Sequence, residues 1–323
     1  MNAASRVFVV MPVFEDREAS SRLFVELRSV LEHRLVVVAV DDGSVRQPVE
    51  IGALQSAGVE GHVIRLRRNV GHQRAIAIGL NHVAGLLRDD DQIVVMDSDG
   101  EDLPSSIPEL LIRLQPGDVD IVVAQRGTRI ETLRFRAFYQ VYRRLFSLLS
   151  GKSISFGNFM AMKPAAVKRL VAMQEIWIHV AASVLTSRLR LAHCLLDRGP
   201  RYAGQSKMNF VGLALHGFRA LMVFAEDVLV RVGIMCAGIA ALSILGAVTA
   251  LGLKLANTAT PGWFSVALGI LFLVFLQTGA LTLMTLMLTG VVRGGGIASA
   301  DYEDFIDEVV STGDNTRPLL RAG

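Results

Sequence analysis

Ile93-Val94-Val95-Met96-Asp97-Ser98-Asp99-Gly100-Glu101-Asp102 is the stretch that decides how this chain is read. Ile93 to Met96 is a short apolar, largely β-branched run with the length of a buried strand. It ends in two carboxylates one residue apart, then a glycine and two further acids. Open α/β sheets place their ligands beyond the carboxyl ends of their strands. Acids packed this closely repel one another unless a cation or a donor-rich partner joins them. Mg²⁺ is held by one or two carboxylates together with substrate phosphates. The stretch therefore reads as a metal-assisted diphosphate site or as a solvated acidic turn, to which Asp-Gly alone points.

Strand-like runs surround this one. Val7 to Met11, Leu35 to Val40, Val63 to Leu66 and Ile121 to Ala124 are each short, apolar and bounded by polar residues. Between them, Glu18 to Leu31 carries Leu23, Leu27, Val30 and Leu31 at helical spacing, and a second helix begins near Gln73. Strands alternating with helices predict an α/β sheet of mostly parallel strands. A second acid pair, Asp41-Asp42-Gly43-Ser44, ends the second strand. It reads as acceptors for a ribose hydroxyl or a base N–H, or as a tight turn followed by a helix cap.

Hydrophobic residues make up 51% of the 323-residue chain, high for a soluble protein. Val232 to Leu253 and Trp263 to Val292 carry no charge until their ends, and each is long enough for a hydrocarbon core of roughly 30 Å. Pro261-Gly262 breaks the short connection, which predicts a hairpin of about 232–253 and 263–292. Arg219, Arg231 and Arg293 flank the outer ends against Lys254 alone in the loop. The positive-inside rule then puts both chain ends on the cytoplasmic side of the membrane, as a multi-pass protein. The net charge of +3 is too mild to argue for nucleic acid. Cys194 and Cys236 suggest neither a disulfide framework nor a metal knuckle. His72, His179, His193 and His216 lack metal-ligand spacing and read as structural.

The ordered set Pro12-Val13-Phe14-Glu15-Asp16, Asp41-Asp42-Gly43-Ser44, Asn69-Val70-Gly71 and Asp97-Ser98-Asp99 resembles the inverting family 2 glycosyltransferases of GT-A fold. Arg201-Tyr202-Ala203-Gly204-Gln205-Ser206-Lys207 resembles the Arg-x-x-Gly-x-Ser-Lys element of the dolichyl- and polyprenyl-phosphate branch, in which bacterial members also carry a membrane hairpin. The resemblance implies a GT-A (Rossmann-like) catalytic domain over 1–207, an interfacial amphipathic helix over 208–230, a transmembrane hairpin over 231–293 and a flexible acidic cytoplasmic tail over 294–323. It implies a nucleotide-sugar donor, a polyprenyl phosphate acceptor, Mg²⁺ or Mn²⁺, and the bilayer as a partner, with homo-oligomers common in the branch.

Residue by residue, the resemblance puts Pro12, Phe14, Asp16, Asp41, Asp42 and Asp97 at the nucleotide, with Asp41 on the base and Asp42 supporting its loop. Asp97, Asp99 and Glu101 become the metal contacts. Asp99, Arg126, Lys207 and Glu175 become the catalytic set. Arg126, Arg134, Arg136, Arg198, Arg201, Ser206 and Lys207 become the phosphate and acceptor contacts. Thr132 to Leu149, which carries Arg134 and Arg136, reads as a basic interfacial helix or as an ordinary surface helix. The branch has an acid in a Gly-Asp-Phe-Arg-Leu element, whereas this chain reads Gly157-Asn158-Phe159-Met160-Ala161. Asparagine is no general base. The acceptor is then an already ionised phosphate, or Glu175 acts instead, or the activity is lost or altered. Another lipid or glycan acceptor, or an inactive nucleotide-sugar-binding scaffold, are the rival readings.

Overall fold

The computed structural model describes residues 5–115, 117–126, 133–202, 210–256, 258, 262–294 and 301–313. Strands β1 (Val7–Val13), β2 (Leu35–Asp41), β3 (Glu60–Leu66), β4 (Gln92–Val95), β5 (Ile121–Arg126), β6 (Phe156–Met162), β7 (Leu191–Leu196) and β8 (Ile306–Ser311) form one sheet. Its order is β7-β5-β6-β4-β1-β2-β3-β8. The helices are α1 (Arg17–Leu31), α2 (Ile51–Ser56), α3 (His72–Ala84), α4 (Ile107–Leu114), α5 (Leu133–Ser150), α6 (Pro164–Val171), α7 (Val180–Thr186), α8 (Phe210–Val223), α9 (Ala225–Leu255) and α10 (Trp263–Gly294).

The continuous apolar runs become central strands because both faces of the sheet are covered. On β1, Phe8 and Val10 face a core that includes Ile76 and Leu80 of α3 and Val167 of α6. Their neighbours Val7, Val9 and Met11 face the other core, with Leu23 and Leu27 of α1 and Leu110 of α4. Strand period two puts adjacent residues on opposite layers. Close approach of α3 depends on Gly79, where a Cβ would sit 2.6 Å from Val10 Cγ1 and 2.9 Å from Val40 Cγ2.

β1, β2, β3 and β4 run parallel in the centre, so their carboxyl ends share one edge of the sheet. The sheet as a whole is mixed, because β6 pairs antiparallel with both β4 and β5, while β5 and β7 are parallel. β6 carries a glycine and an asparagine in its first half and lacks the unbroken apolar signature of its neighbours.

The tail expected to be flexible over 294–323 is structured in part. β8 adds to β3 as an antiparallel edge strand, with Val63 opposite Val310 and Arg65 opposite Glu308. Ile306 is buried in the core, Arg65 ion-pairs with Glu308, and Arg67 Nε donates to the Ile306 carbonyl at 2.9 Å. An edge strand supplies backbone partners that β3 would otherwise leave open. Of the acids that suggest solvation in sequence, Asp307 is exposed and Glu308 is half-buried against Arg65.

Thr132–Ser153 and Phe224–Ala298 form a second compact unit. In it, α9 and α10 are long and apolar enough to cross a membrane. They pack as an antiparallel pair. Gly233 lies against Thr285 and Gly246 against Leu271, small residues that let the helices approach. The Phe146 ring of α5 meets the Phe224 ring edge-on at 5.9 Å.

Candidate active site

Glu15, Asp41, Asp42, Asp99 and Asp102 at the central edge are each anchored by backbone amides. The chain leaves β1 at Phe14, then turns at Glu15, whose φ of 47° lies in the left-handed region. Glu15 accepts from the amides of Val45 (2.8 Å), Arg46 (3.0 Å) and Gln47 (2.7 Å), which ties the loop after β2 to the loop after β1. Those amide bonds, led by the one from Val45, hold its pKa below the usual carboxylate value. Asp16 begins α1, its carbonyl accepting from Ser20 N at 3.1 Å. Pro12 is buried within β1, whereas Phe14 is 40% exposed.

Asp41 and Asp42 are both buried. Asp41 brackets its own turn, accepting from Ser44 N and Val49 N at 2.8 Å each. Asp42 reaches across to the loop after β3, accepting from Val70 N (2.7 Å) and Gly71 N (3.0 Å). Burial pushes the Asp42 pKa up, against the pull of those two amides. Both carboxylates thus set the shape of the loops.

Beyond β4 the acids gather. Asp102 accepts from Asp97 N at 3.0 Å, and Asp99 from Glu101 N at 3.0 Å, so the turn is closed by its own side chains. Asp99 is 8% exposed. Burial and the neighbouring Asp97 charge push its pKa up, opposed by Arg201, Arg198 and His72. Two arginines from the segment after β7 converge here. Arg201 Nη2 lies 2.7 Å from Asp99 Oδ2, its Nε lies 3.6 Å from Glu101 Oε1, and Arg198 ion-pairs with Glu101. Desolvated carboxylates that already draw in positive charge suit a divalent cation. Among the described residues no group of three or more His, Cys, Asp and Glu side chains has metal-holding geometry. The carboxylates of this turn that would hold a cation are Asp97, Asp99 and Glu101.

On the other flank the groups are neutral. Gln73 is buried and uses both ends of its amide. The Val180 amide can be met only by an oxygen, so it donates to Gln73 Oε1 at 2.7 Å. Gln73 Nε2 then donates to Asn158 Oδ1 at 3.2 Å. That leaves the Asn158 amino group facing His72 Nε2 at 2.9 Å. His72 Nε2 is also 3.2 Å from Asp97 Oδ1; unprotonated it accepts from Asn158, and protonated it pairs with Asp97 instead. Desolvation lowers the His72 pKa, but Asp97, Asp42 and Asp99 more than offset it and leave it raised.

The model of "Glycosyl transferase family 2" matches residues 8–175, just over half of the chain. The chain belongs to glycosyl transferase family 2. An uncharacterized glycosyltransferase of Synechocystis is 26% identical over 282 residues, covering 82% of this chain and 84% of that protein. The undecaprenyl-phosphate 4-deoxy-4-formamido-L-arabinose transferase of Salmonella paratyphi B is 25% identical over 219 residues, 64% of each chain. The match thus spans less than two thirds of that relative's length. The solved structure of glucosyl-3-phosphoglycerate synthase from Mycobacterium tuberculosis with Mn²⁺, UDP-glucose and phosphoglyceric acid aligns with a TM-score of 0.50. It is 16% identical and covers 71% of this chain and 80% of that one, a likeness of fold alone.

In this transferase the fold brings Pro12, Phe14, Asp16, Asp41, Asp42, Asp97, Asp99 and Glu101 to one edge of the sheet, with Arg198 and Arg201 against the last two. Glu175 lies on a 3-10 turn (Gln174–Trp177) whose Ile176 packs in the α3 core, and among the described residues its carboxylate joins none of the ion pairs of the site. Arg126 ends β5, and Arg134 and Arg136 lie on α5; their side chains are outside the described residues, as are Ser206 and Lys207. His72 corrects the sequence reading, since it is an ion-pair partner of Asp97 and not merely structural. Sequence reasoning also missed Gln73, Glu15 and Tyr202. The only signal for His72 and Gln73 was their place directly after Asn69-Val70-Gly71, where α3 begins.

His179 and His216 form a second pair, with their Nε2 atoms 3.1 Å apart. His179 Nδ1 caps α7 by accepting from Ala182 N at 3.2 Å, which requires that nitrogen to be unprotonated. Burial, reinforced by His216, pushes the His179 pKa down to about 3.

Proposed function

We propose that this transferase moves a single sugar from a nucleotide sugar to a polyprenyl phosphate, undecaprenyl phosphate in a bacterium, at the cytoplasmic face of the membrane and with inversion at the anomeric carbon. The observation that carries the reading is the pairing of Arg198 and Arg201 with Glu101 and Asp99. It puts guanidinium groups beside carboxylates, the combination that a leaving nucleoside diphosphate needs. Mg²⁺ or Mn²⁺, held by Asp97, Asp99 and Glu101, would neutralise the diphosphate as it leaves. Phe14 offers an exposed ring, and Asp16, Asp41 and Asp42 frame the loops on which the nucleotide would rest. Arg126 and Lys207 would act on the phosphates, and Arg134, Arg136 and Ser206 on the acceptor.

Asn158 supports a phosphate acceptor. Its amide is committed to Gln73 and His72, an arrangement that positions and does not deprotonate. A phosphate monoester oxygen is ionised at neutral pH and needs no general base. The Salmonella relative, whose name carries undecaprenyl phosphate, and the two apolar helices support the same acceptor. We read α9 and α10 as a two-pass anchor with both chain ends cytoplasmic, from the arginines outside the hairpin. Full-length protein in detergent with radiolabelled nucleotide sugars, undecaprenyl phosphate and Mn²⁺ should yield an organic-soluble, mild-acid-labile sugar. Absence of such a product from every common donor would overturn the proposal.

A further inference from the structure

Residues 198–202 lie as a strap on the acidic turn. Gly199 N donates to the Glu101 carbonyl and Tyr202 N to the Asp99 carbonyl, both at 2.9 Å. The Tyr202 ring rests on Gly100, where a Cβ would come within 2.4 Å of ring carbons, and Gly100 has a φ of +83°. Only glycine meets both demands. At the other side of the strap, a Cβ on Gly199 would lie 2.5 Å from Leu103 Cδ2.

Tyr202 is itself anchored outside the turn. Its hydroxyl hydrogen-bonds to Glu26 on α1. The Arg22 guanidinium lies 4.2 Å from its ring centroid, and Arg22 and Glu26 pair with each other at 3.1 Å. A ring stacked on one loop and tethered to a helix is a rigid support. It fixes the residue immediately before it, Arg201, with Nη2 2.7 Å from Asp99 Oδ2.

We propose that Tyr202 is a positioning residue that seats the Arg201 guanidinium on Asp99 in the cation-free protein, so that cation entry and release of Arg201 towards the donor phosphates are a single exchange. The proposal rests on the reading of Asp97 and Asp99 as the cation site. A guanidinium and a divalent cation on the same carboxylate repel each other, so each weakens the other's hold. The strap is the part that must yield.

The test is Mn²⁺ binding to the full-length protein in detergent, followed by electron paramagnetic resonance without nucleotide, with D99N as the control for the site. R201Q should bind Mn²⁺ about 2–5-fold tighter than the wild type, the value of one partly exposed ion pair removed from competition. Y202A should shift affinity in the same direction, and Y202F, which keeps the ring but loses the Glu26 tether, should shift it less. Trypsin cleavage of the Arg198–Gly199 bond gives an independent readout. It should accelerate in Y202A, and in the wild type on adding Mn²⁺, but not in D99N on adding Mn²⁺. A purely structural Arg201 predicts unchanged or weaker Mn²⁺ binding in R201Q, and either result would overturn the exchange. Wild type without D99N-sensitive Mn²⁺ binding would overturn the cation site as well. If Y202A does not fold, R201Q and the Mn²⁺ effect on wild-type cleavage decide the matter.

Discussion

The two flanks of the site solve different electrostatic problems. On the flank after β1, β2 and β4, Glu15, Asp41, Asp42 and Asp99 are drawn together and held by backbone amides or by arginines, with Asp97 beside them. On the flank formed by the start of α3 and by β6, the groups are amides and histidines joined in sequence from Val180 to Gln73, Asn158 and His72. One flank concentrates negative charge and so calls for a cation. The other carries almost none of its own and fixes geometry by saturating hydrogen bonds. The two meet at a single contact, His72 with Asp97. The proposed transfer, from a charged donor to an already ionised acceptor, uses this division.

Removing the charge of the first flank has the largest expected effect. Asp99→Asn should lower turnover by about 10³-fold, the scale for losing one electrostatic group at developing charge. It is checked by single-turnover assay of lipid-linked sugar. Breaking the second flank at its buried centre comes next. Gln73→Ala strands the Val180 amide and Asn158 Oδ1, at a cost of about 1–3 kcal/mol. The loss should appear as a lower melting temperature, with reduced turnover at temperatures where the protein stays folded.

Asn158→Asp sharpens the comparison by carrying charge across the divide. A carboxylate beside Asp97 and near an anionic acceptor should reduce turnover about tenfold, equivalent to ~1.4 kcal/mol. A rise in turnover would instead mark proton abstraction as limiting and would favour a hydroxyl acceptor. The effect that is smallest at neutral pH, and emerges only in acid, is that of His179. His179 has a folded pKa of about 3 against 6.5 unperturbed. Below pH 6.5 the unfolded chain binds a proton that the folded chain refuses, so stability is lost as the pH falls from 6.5 towards 3. The slope from this residue approaches about 1.4 kcal/mol per pH unit. His179→Asn keeps a side-chain cap on α7 and should flatten the acid limb of a melting-temperature profile.

Much of this was legible in the residue order. β1, β2, β4 and β5 are apolar runs buried on both faces, and such runs carry their own signature. The acids at the ends of β2 and β4 announce one edge of the sheet, since parallel neighbours share it. β8 was not legible, because Asp307 and Glu308 lie between Ile306 and Val309 and hide a half-buried edge strand in an acidic segment. His72 was set aside because spacing along the chain shows metal ligands only when they are local, and its partner Asp97 lies on the turn after β4. Tyr202 was invisible for the same reason, as Glu26 and Gly100 come from distant segments.

Sequence alone therefore determined the alternation of strands and helices, the two apolar spans and the position of the acids at strand ends. These follow from local periodicity and hydrophobicity, which each segment carries within itself. Tertiary structure alone decided which carboxylates shape loops and which face the arginines, that α3 joins the charged flank to the neutral one, and that residues after the hairpin return to the edge of the sheet. Those outcomes depend on hydrogen bonds and ion pairs between segments far apart in the chain, and only the packed sheet brings those segments within reach of one another.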